Sequence, residues 1–223
     1  MPGWASGKPL RAATVALLAL PVLAAAGLAP AAPRAYEVDA DASSLRVVML
    51  RRGVLAVLAH DHILLAKGIA GRITYNPDAP AQSTGQISIP VEFLEVDDPK
   101  ERAREGLSGE LNESNRASVR ENMLGADQLD ASAFPRITAA LEGVTGKPPE
   151  LRLQVRVRIR KREQVLAVPV TVTETGEMLT VQGEVTLLQS AFGITPYVAL
   201  FGAIAVQDAV RVRFELIARP LQP

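Results

Sequence analysis

The stretch Leu151-Arg-Leu-Gln-Val-Arg-Val-Arg-Ile-Arg160 decides the fold class. Leu151, Leu153, Val155, Val157 and Ile159 fall on one side of an extended backbone; Arg152, Gln154, Arg156, Arg158 and Arg160 fall on the other. Successive strand side chains point to opposite faces, so strict alternation over ten residues predicts a half-buried antiparallel strand. Working outward, the same period places Val210, Val212, Phe214 and Leu216 inward, with Arg211, Arg213 and Glu215 outward. Leu179, Val181, Val185 and Leu187 form another inward row, as do Ile87, Ile89, Val91 and Phe93. Shorter strands are expected over 45–50, 54–58, 69–75, 136–144 and 166–172. Turn-forming clusters separate them: Asn76-Pro-Asp, Gly146-Lys-Pro-Pro and Thr175-Gly-Glu.

One segment departs from period two. Asp98-Pro99 is a helix start, with Asp as cap and Pro at the first helical position. A charged stretch follows to Glu105 and ends at Gly106. Residues 114–124, closed by Gly125, read as a second helix with Val119 and Met123 on one side. No linker of domain-boundary character falls between Tyr36 and Arg219. The chain therefore reads as one all-β domain, an antiparallel barrel of about eight strands with a short helical insertion. A sheet of this length is expected to curl and close, since closure removes exposed edges. Pro90 and Pro169 lie on outward rows and cannot donate to a ladder, so their strands should border an edge or a seam.

Composition narrows the function. The 223 residues carry 24 basic and 24 acidic side chains and no cysteine. A balanced charge argues against a general nucleic-acid binder, which needs basic excess to displace counterions. The lack of cysteine excludes thiolate catalysis, disulfides, iron–sulfur clusters and Cys-zinc sites. No nucleophile elbow, metalloprotease helix, phosphate loop or dinucleotide fingerprint occurs, and no cofactor is expected. Lys8 and Arg11 precede an apolar run from Ala12 to Ala26 and a small-residue exit, the pattern of a secretory signal peptide over residues 1–32. Its removal takes Lys8 and Arg11 and leaves 22 basic against 24 acidic residues. The protein is expected in the periplasm, with no stable membrane insertion after cleavage.

His60-Asp61-His62 holds both histidines of the chain. On a strand the two imidazoles share a face and could meet one divalent ion, yet two ligands do not close a zinc site. The other reading is a polar rim at a strand end. Arg152, Arg156, Arg158, Arg160, Arg211 and Arg213 could meet anionic headgroups, or simply solvate the outer wall. The inward rows are aliphatic, with Phe93, Phe192 and Phe214 as the large exceptions. A barrel of about eight strands either packs its interior with side chains or holds one small ligand, and the pattern alone leaves both open.

Several short motifs, in order, resemble the YceI-like family of exported β-barrels. Tyr36-Glu-Val-Asp-Ala-Asp-Ala-Ser-Ser-Leu45 is similar to the family's first strand. His60 with Gly68 matches its His…Gly step, and His60-Asp-His62 resembles a subgroup with that triplet. Residues 123–137, with Leu129-Asp130 and Phe134-Pro135, resemble the return from the helices to the sheet. Gln189-Ser-Ala-Phe-Gly-Ile-Thr-Pro196 and Gly202 to Val210 resemble the C-terminal loop and final strand, although Ala191 stands where the family has an acid. The resemblance implies a YceI-like domain over residues 36–219, a lipocalin-like barrel with an apolar lumen, and a polyisoprenoid or similar long-chain lipid as partner. On that reading Phe93, Leu153, Val155, Val157, Val181, Val185, Phe192 and Phe214 line the ligand, with its headgroup near His60 and His62. The protein is then a carrier rather than an enzyme. The alternatives are a metal-dependent protein or enzyme using His60 and His62, or a ligand-free structural or stress-response domain.

If the leader is processed, the exported chain begins between Gly27 and Tyr36. N-terminal sequencing of protein from the native compartment checks this; an intact Met1 chain in the membrane fraction would overturn it.

Overall fold

The computed structural model describes residues 32–221, together with residues 1 and 3. The expected leader thus lies almost wholly outside the described residues. The chain forms β1 Arg34–Val38, β2 Ser44–Arg52, β3 His62–Ala66, β4 Ala70–Tyr75, β5 Thr84–Pro90 and β6 Leu94–Val96. Helices α1 Pro99–Arg104 and α2 Glu113–Leu124 follow. The second half contributes β7 Arg136–Lys147, β8 Glu150–Ile159, β9 Arg162–Thr175, β10 Met178–Leu188, β11 Val198–Ala199 and β12 Ile204–Pro220.

Three pairs of these are single walls interrupted by a kink. β1 and β2 both lie along β12; β3 and β4 lie along β2 and β1; β6 and β5 lie along β3 and β4. With each pair counted once and the short β11 set aside, eight walls remain, each antiparallel to the one before. The first also meets the last, through Tyr36↔Pro220 and Leu45↔Phe214. The result is a closed up-and-down barrel. One end carries the long connections 53–61, 97–135 and 189–203 with the tight turn at Arg160-Lys161; the other carries the short hairpins. We call these the helical end and the hairpin end.

Both prolines mark places where a ladder stops. β7 pairs with β5 as far as Arg136↔Pro90, and beyond that point α2 packs against β6 in place of a strand. Val119 and Met123 of α2 turn into the core, as their spacing predicts. Asp98 caps α1 through the amides of Lys100 and Glu101, and Asn112 caps α2 through that of Asn115. The β9–β10 ladder ends at Gly183↔Val170, one residue from Pro169. Gly183 is required there: a Cβ would lie 2.7 Å from the Pro169 carbonyl oxygen and 3.0 Å from the Phe214 ring. Past the split, the turn Ser190–Phe192 is inserted beside β9, with the Gln164 amide donating to the Ala191 carbonyl at 3.0 Å. Buried Phe192 and Ile194 pack with Ile159 as a small second core.

Two expectations are corrected. Residues 54–58 form no strand; they make a loop with a 3-10 turn at Ala56–Leu58, and Val54, Val57 and Leu58 face solvent. The inward row over 87–93 holds through buried Val91 and fails at Phe93, because the turn Val91–Phe93 interrupts the alternation. One strand escaped the pattern altogether: Ile63, Leu64, Leu65 and Ala66 of β3 are all buried. α1 packs against β3, so both faces are covered and no alternation is required.

The hairpin end is closed by a bond across the barrel. Tyr36, fully buried on β1, donates its hydroxyl to Glu174 of β9 at 2.6 Å. Burial and the adjacent Glu174 carboxylate push the phenol up to about 12. A phenol ionises at about 10 in an unfolded chain, so the unfolded state loses its proton first. The stability from neutral Tyr36 is complete below pH of about 10 and is lost as pH rises toward about 12. Unfolding titrations in urea should show this alkaline loss in the wild type and a shallower one in Tyr36→Phe, which should cost about 1 kcal/mol at neutral pH.

Candidate functional site

A cavity of about 480 Å³ runs through the barrel, within the range of small-molecule sites. Its wall is almost wholly apolar, built from the inward rows of β2, β5, β7, β8, β9, β10 and β12. The alternation of β8 delivers all five of its apolar side chains, Leu151 to Ile159, to this space. Most polar lining residues gather at the helical end: His62, Ser118, Asn122, Gln128, Gln189 and Tyr197; Tyr75 and Ser83 lie at the hairpin end. Asn122 and Ser118 come from α2, which reaches the lumen where β6 lacks a second strand neighbour.

Of the residues singled out in the sequence, Leu153, Val155, Val157, Val181, Val185, Phe192, Phe214 and His62 line this cavity. Phe93 and His60 do not. Phe93 is about half exposed, at 51%, and its ring lies outside the wall over Gly68. Gly68 has φ of +63°, and a Cβ there would approach the ring to 2.8 Å. His60 precedes β3 and packs against Gly109, in the connection between the helices. The two imidazoles therefore meet different partners.

His62 belongs instead to a buried polar network. Its Nδ1 donates to Asp97 Oδ2 at 2.6 Å, and Asp97 is fully buried. Asp97 Oδ1 accepts from the Ile63 amide at 3.0 Å and from Arg102 at 2.7 Å. Arg102, 4% exposed, also donates to the carbonyls of Asp61 at 2.6 Å and Ser108 at 2.8 Å. Burial acts to raise the Asp97 carboxyl, but hydrogen bonds from His62, Ile63 and Arg102 and the His62 charge hold it below its ordinary value. Asp61 turns away, accepting from the Arg51 amide at 2.8 Å. The Asp97 bond fixes the His62 ring, so Nε2 is the nitrogen left for other contacts. Nothing in the local pattern marked Asp97 or Arg102, since Asp97 lies 35 residues from His62 and its neighbour Asp98 reads only as a helix cap.

The arginine row is surface. Arg156 pairs with Glu142 and Glu163, and Arg158 with Glu163. Arg213 pairs with Glu184 and, with Arg211, with Glu105 beyond the end of α1. These bridges, with Arg46–Glu101, fasten α1 and its C-terminal cap to the outside of β2 and β12.

The family model of the YceI-like domain matches residues 36–218. Two solved structures have a similar fold. Burkholderia cenocepacia BcnA superposes with a TM-score of 0.61 at 19% identity, over 81% of this chain and 98% of that one. The Campylobacter jejuni YCEI protein superposes with a TM-score of 0.52 at 10% identity, over 71% and 84%. No curated protein matches the chain significantly.

Removing the charge from Asp97 leaves Arg102 buried with no anionic partner. Asp97→Asn should cost about 3–5 kcal/mol in urea unfolding. A carboxylate held low stabilises the fold above the unfolded value near 4, and that contribution disappears as pH falls below it. The variant should therefore lose less stability than wild type on acidification through this window.

Proposed function

The chain belongs to the YceI-like domain family, a barrel family that binds apolar ligands, and on that premise we propose that it is an exported carrier of a long-chain isoprenoid or similar lipid. The observation that supports this reading is the continuous apolar lumen, with most of its polar lining at the helical end. That polarity suits an amphiphile with a long tail and a small head. The tail lies among Val155, Val157, Val181 and Phe214, and the head lies beside His62, Gln189 and Tyr197. With Nδ1 committed to Asp97, His62 offers Nε2 to a hydroxyl or similar group on that head.

Energetics support a tail rather than a compact ligand. Each buried methylene contributes about 0.8 kcal/mol, so about ten contribute roughly 8 kcal/mol, equivalent to micromolar affinity before ordering costs. A longer chain gains further until the lumen is full. β8 lines the lumen from Leu151 to Ile159, which at about 3.3 Å per residue is roughly 26 Å of wall for an extended tail. The leader read in residues 1–32 supports a periplasmic setting, where a lipid crossing water needs an apolar container.

The test is organic extraction and mass spectrometry of protein purified from its native compartment, beside Val157→Trp and Val181→Trp. Wild type should yield bound lipid. Either indole should occupy lumen space and lower the lipid recovered per mole, at a stability cost of about 1–3 kcal/mol. The carrier reading fails if wild type yields no lipid and both Trp variants unfold, since that is the behaviour of a solid core.

A further inference from the structure

Two loops at the helical end carry apolar side chains that are left exposed among the described residues. In the first, Val54 is 89% exposed, Val57 83% and Leu58 67%; in the second, Leu200 is 60% and Phe201 fully exposed. Tyr197 and Val198 add roughly half-exposed surface beside them. The loops form one unit, because the Leu55 amide donates to the Ala203 carbonyl at 2.9 Å. Scattered exposed apolar residues are ordinary, but a contiguous group on fixed loops marks an interaction surface.

The backbone is bent to present them. β11 pairs with the start of β12 through Val198↔Ala205 and Ala199↔Ile204, so 200–203 is a hairpin turn. Leu200 and Phe201 both hold positive φ, +47° and +54°. Turns of that shape favour Asn and Gly, and two bulky apolar residues are unfavourable there both for backbone and for solvation. In a turn that merely joins two strands, neither cost is offset.

We propose that this two-loop tip docks the barrel onto the surface of a phospholipid bilayer, with Val57 and Phe201 entering the acyl boundary. Three features select a bilayer over a protein partner. First, no Asp, Glu, Lys or Arg occurs over residues 53–60 or 189–207, and the nearest acids, Asp61 and Asp208, are engaged at the loop bases by the Arg51 amide and by Ser190. Second, cations flank the tip: the turn Arg160-Lys161-Arg162 lies at the same end, and Arg162 touches Gly193 of the second loop, a basic rim suited to anionic headgroups. Third, Tyr197 belongs both to the second loop and to the lumen wall, so the apolar surface of the tip continues into the cavity. Among the described residues no helix is long and apolar enough to cross a membrane, and the attachment is peripheral. Docking is read from the loops alone; its use, passing lipid between bilayer and lumen, rests on the carrier reading.

The chain has no cysteine, so Phe201→Cys and Glu177→Cys each accept one environment-sensitive fluorophore, the second at the hairpin end as a control. Both are mixed with vesicles of equimolar phosphatidylethanolamine and phosphatidylglycerol. A blue shift at position 201 with none at 177 supports docking, and Val57→Asp added to Phe201→Cys should weaken vesicle binding by roughly tenfold while the fold, followed by circular dichroism, is kept. Because every variant carries the same N-terminus, the leader cannot account for the difference. No shift at 201, equal shifts at both positions, or a shift that appears without vesicles as protein concentration rises overturns the proposal, the last in favour of self-association. Vesicle binding without extractable lipid would sink the carrier reading and leave docking standing; lipid without vesicle binding would do the reverse.

Discussion

Everything in this molecule depends on the last strand meeting the first. β12 is 17 residues long because it must serve four neighbours: β11 and then β10 on one side, and β2 and then β1 on the other. A sheet left open there would expose a row of unpaired amides and carbonyls along both β1–β2 and β12. Closure satisfies that row and simultaneously turns the inward side chains toward one another across a common space. The lumen is a consequence of closing eight walls, since a barrel of this size has an interior just wide enough to be filled or to hold one ligand. Here the aliphatic rows leave about 480 Å³ unfilled.

Closure is not uniform, and the irregularities lie where chemistry is needed. Pro90 and Pro169 each end a ladder, and each gap is occupied by something other than a strand. α2 occupies one, bringing Ser118 and Asn122 to the lumen; the turn Ser190–Phe192 occupies the other, bringing Phe192. A continuous ladder would have offered only alternating strand positions. The breaks admit a helix face and a loop, and with them most of the polar lining.

What was legible in the sequence follows the same division. β8 could be read residue by residue because one of its faces meets the lumen and the other meets water, so hydrophobicity must alternate. β3 could not, because α1 packs against its outer side, and Ile63 to Ala66 are buried whichever way they point. Phe93 was misread because a single 3-10 turn rotated it out of register, an event with no compositional signature beyond the nearby Pro90. Val54 to Leu58 read as a strand because apolar residues normally seek a core, and here they do not. The prolines could be read correctly, since a missing amide hydrogen has one structural meaning in a sheet. Asp97 could not, because its partners His62 and Arg102 are assembled from three separate elements.

The placement of that network says something about how an apolar lumen can coexist with charge. An ionised carboxylate beside a hydrocarbon cavity is costly unless every lone pair is engaged. Asp97 meets this with His62, an amide and Arg102, and the two terminal nitrogens of Arg102 also donate to backbone carbonyls of two loops, while its Nε is buried without a partner among the described residues. The charges thereby face the protein, and only the His62 ring is shown to the lumen. The same bonds hold the loop before β3, α1 and the connection after it as one unit at the helical end. The wall is richest in polar groups at the end where connections are long, with Tyr75 and Ser83 the polar lining at the hairpin end. A ligand with one polar end has, for that reason, a single favourable orientation in this barrel.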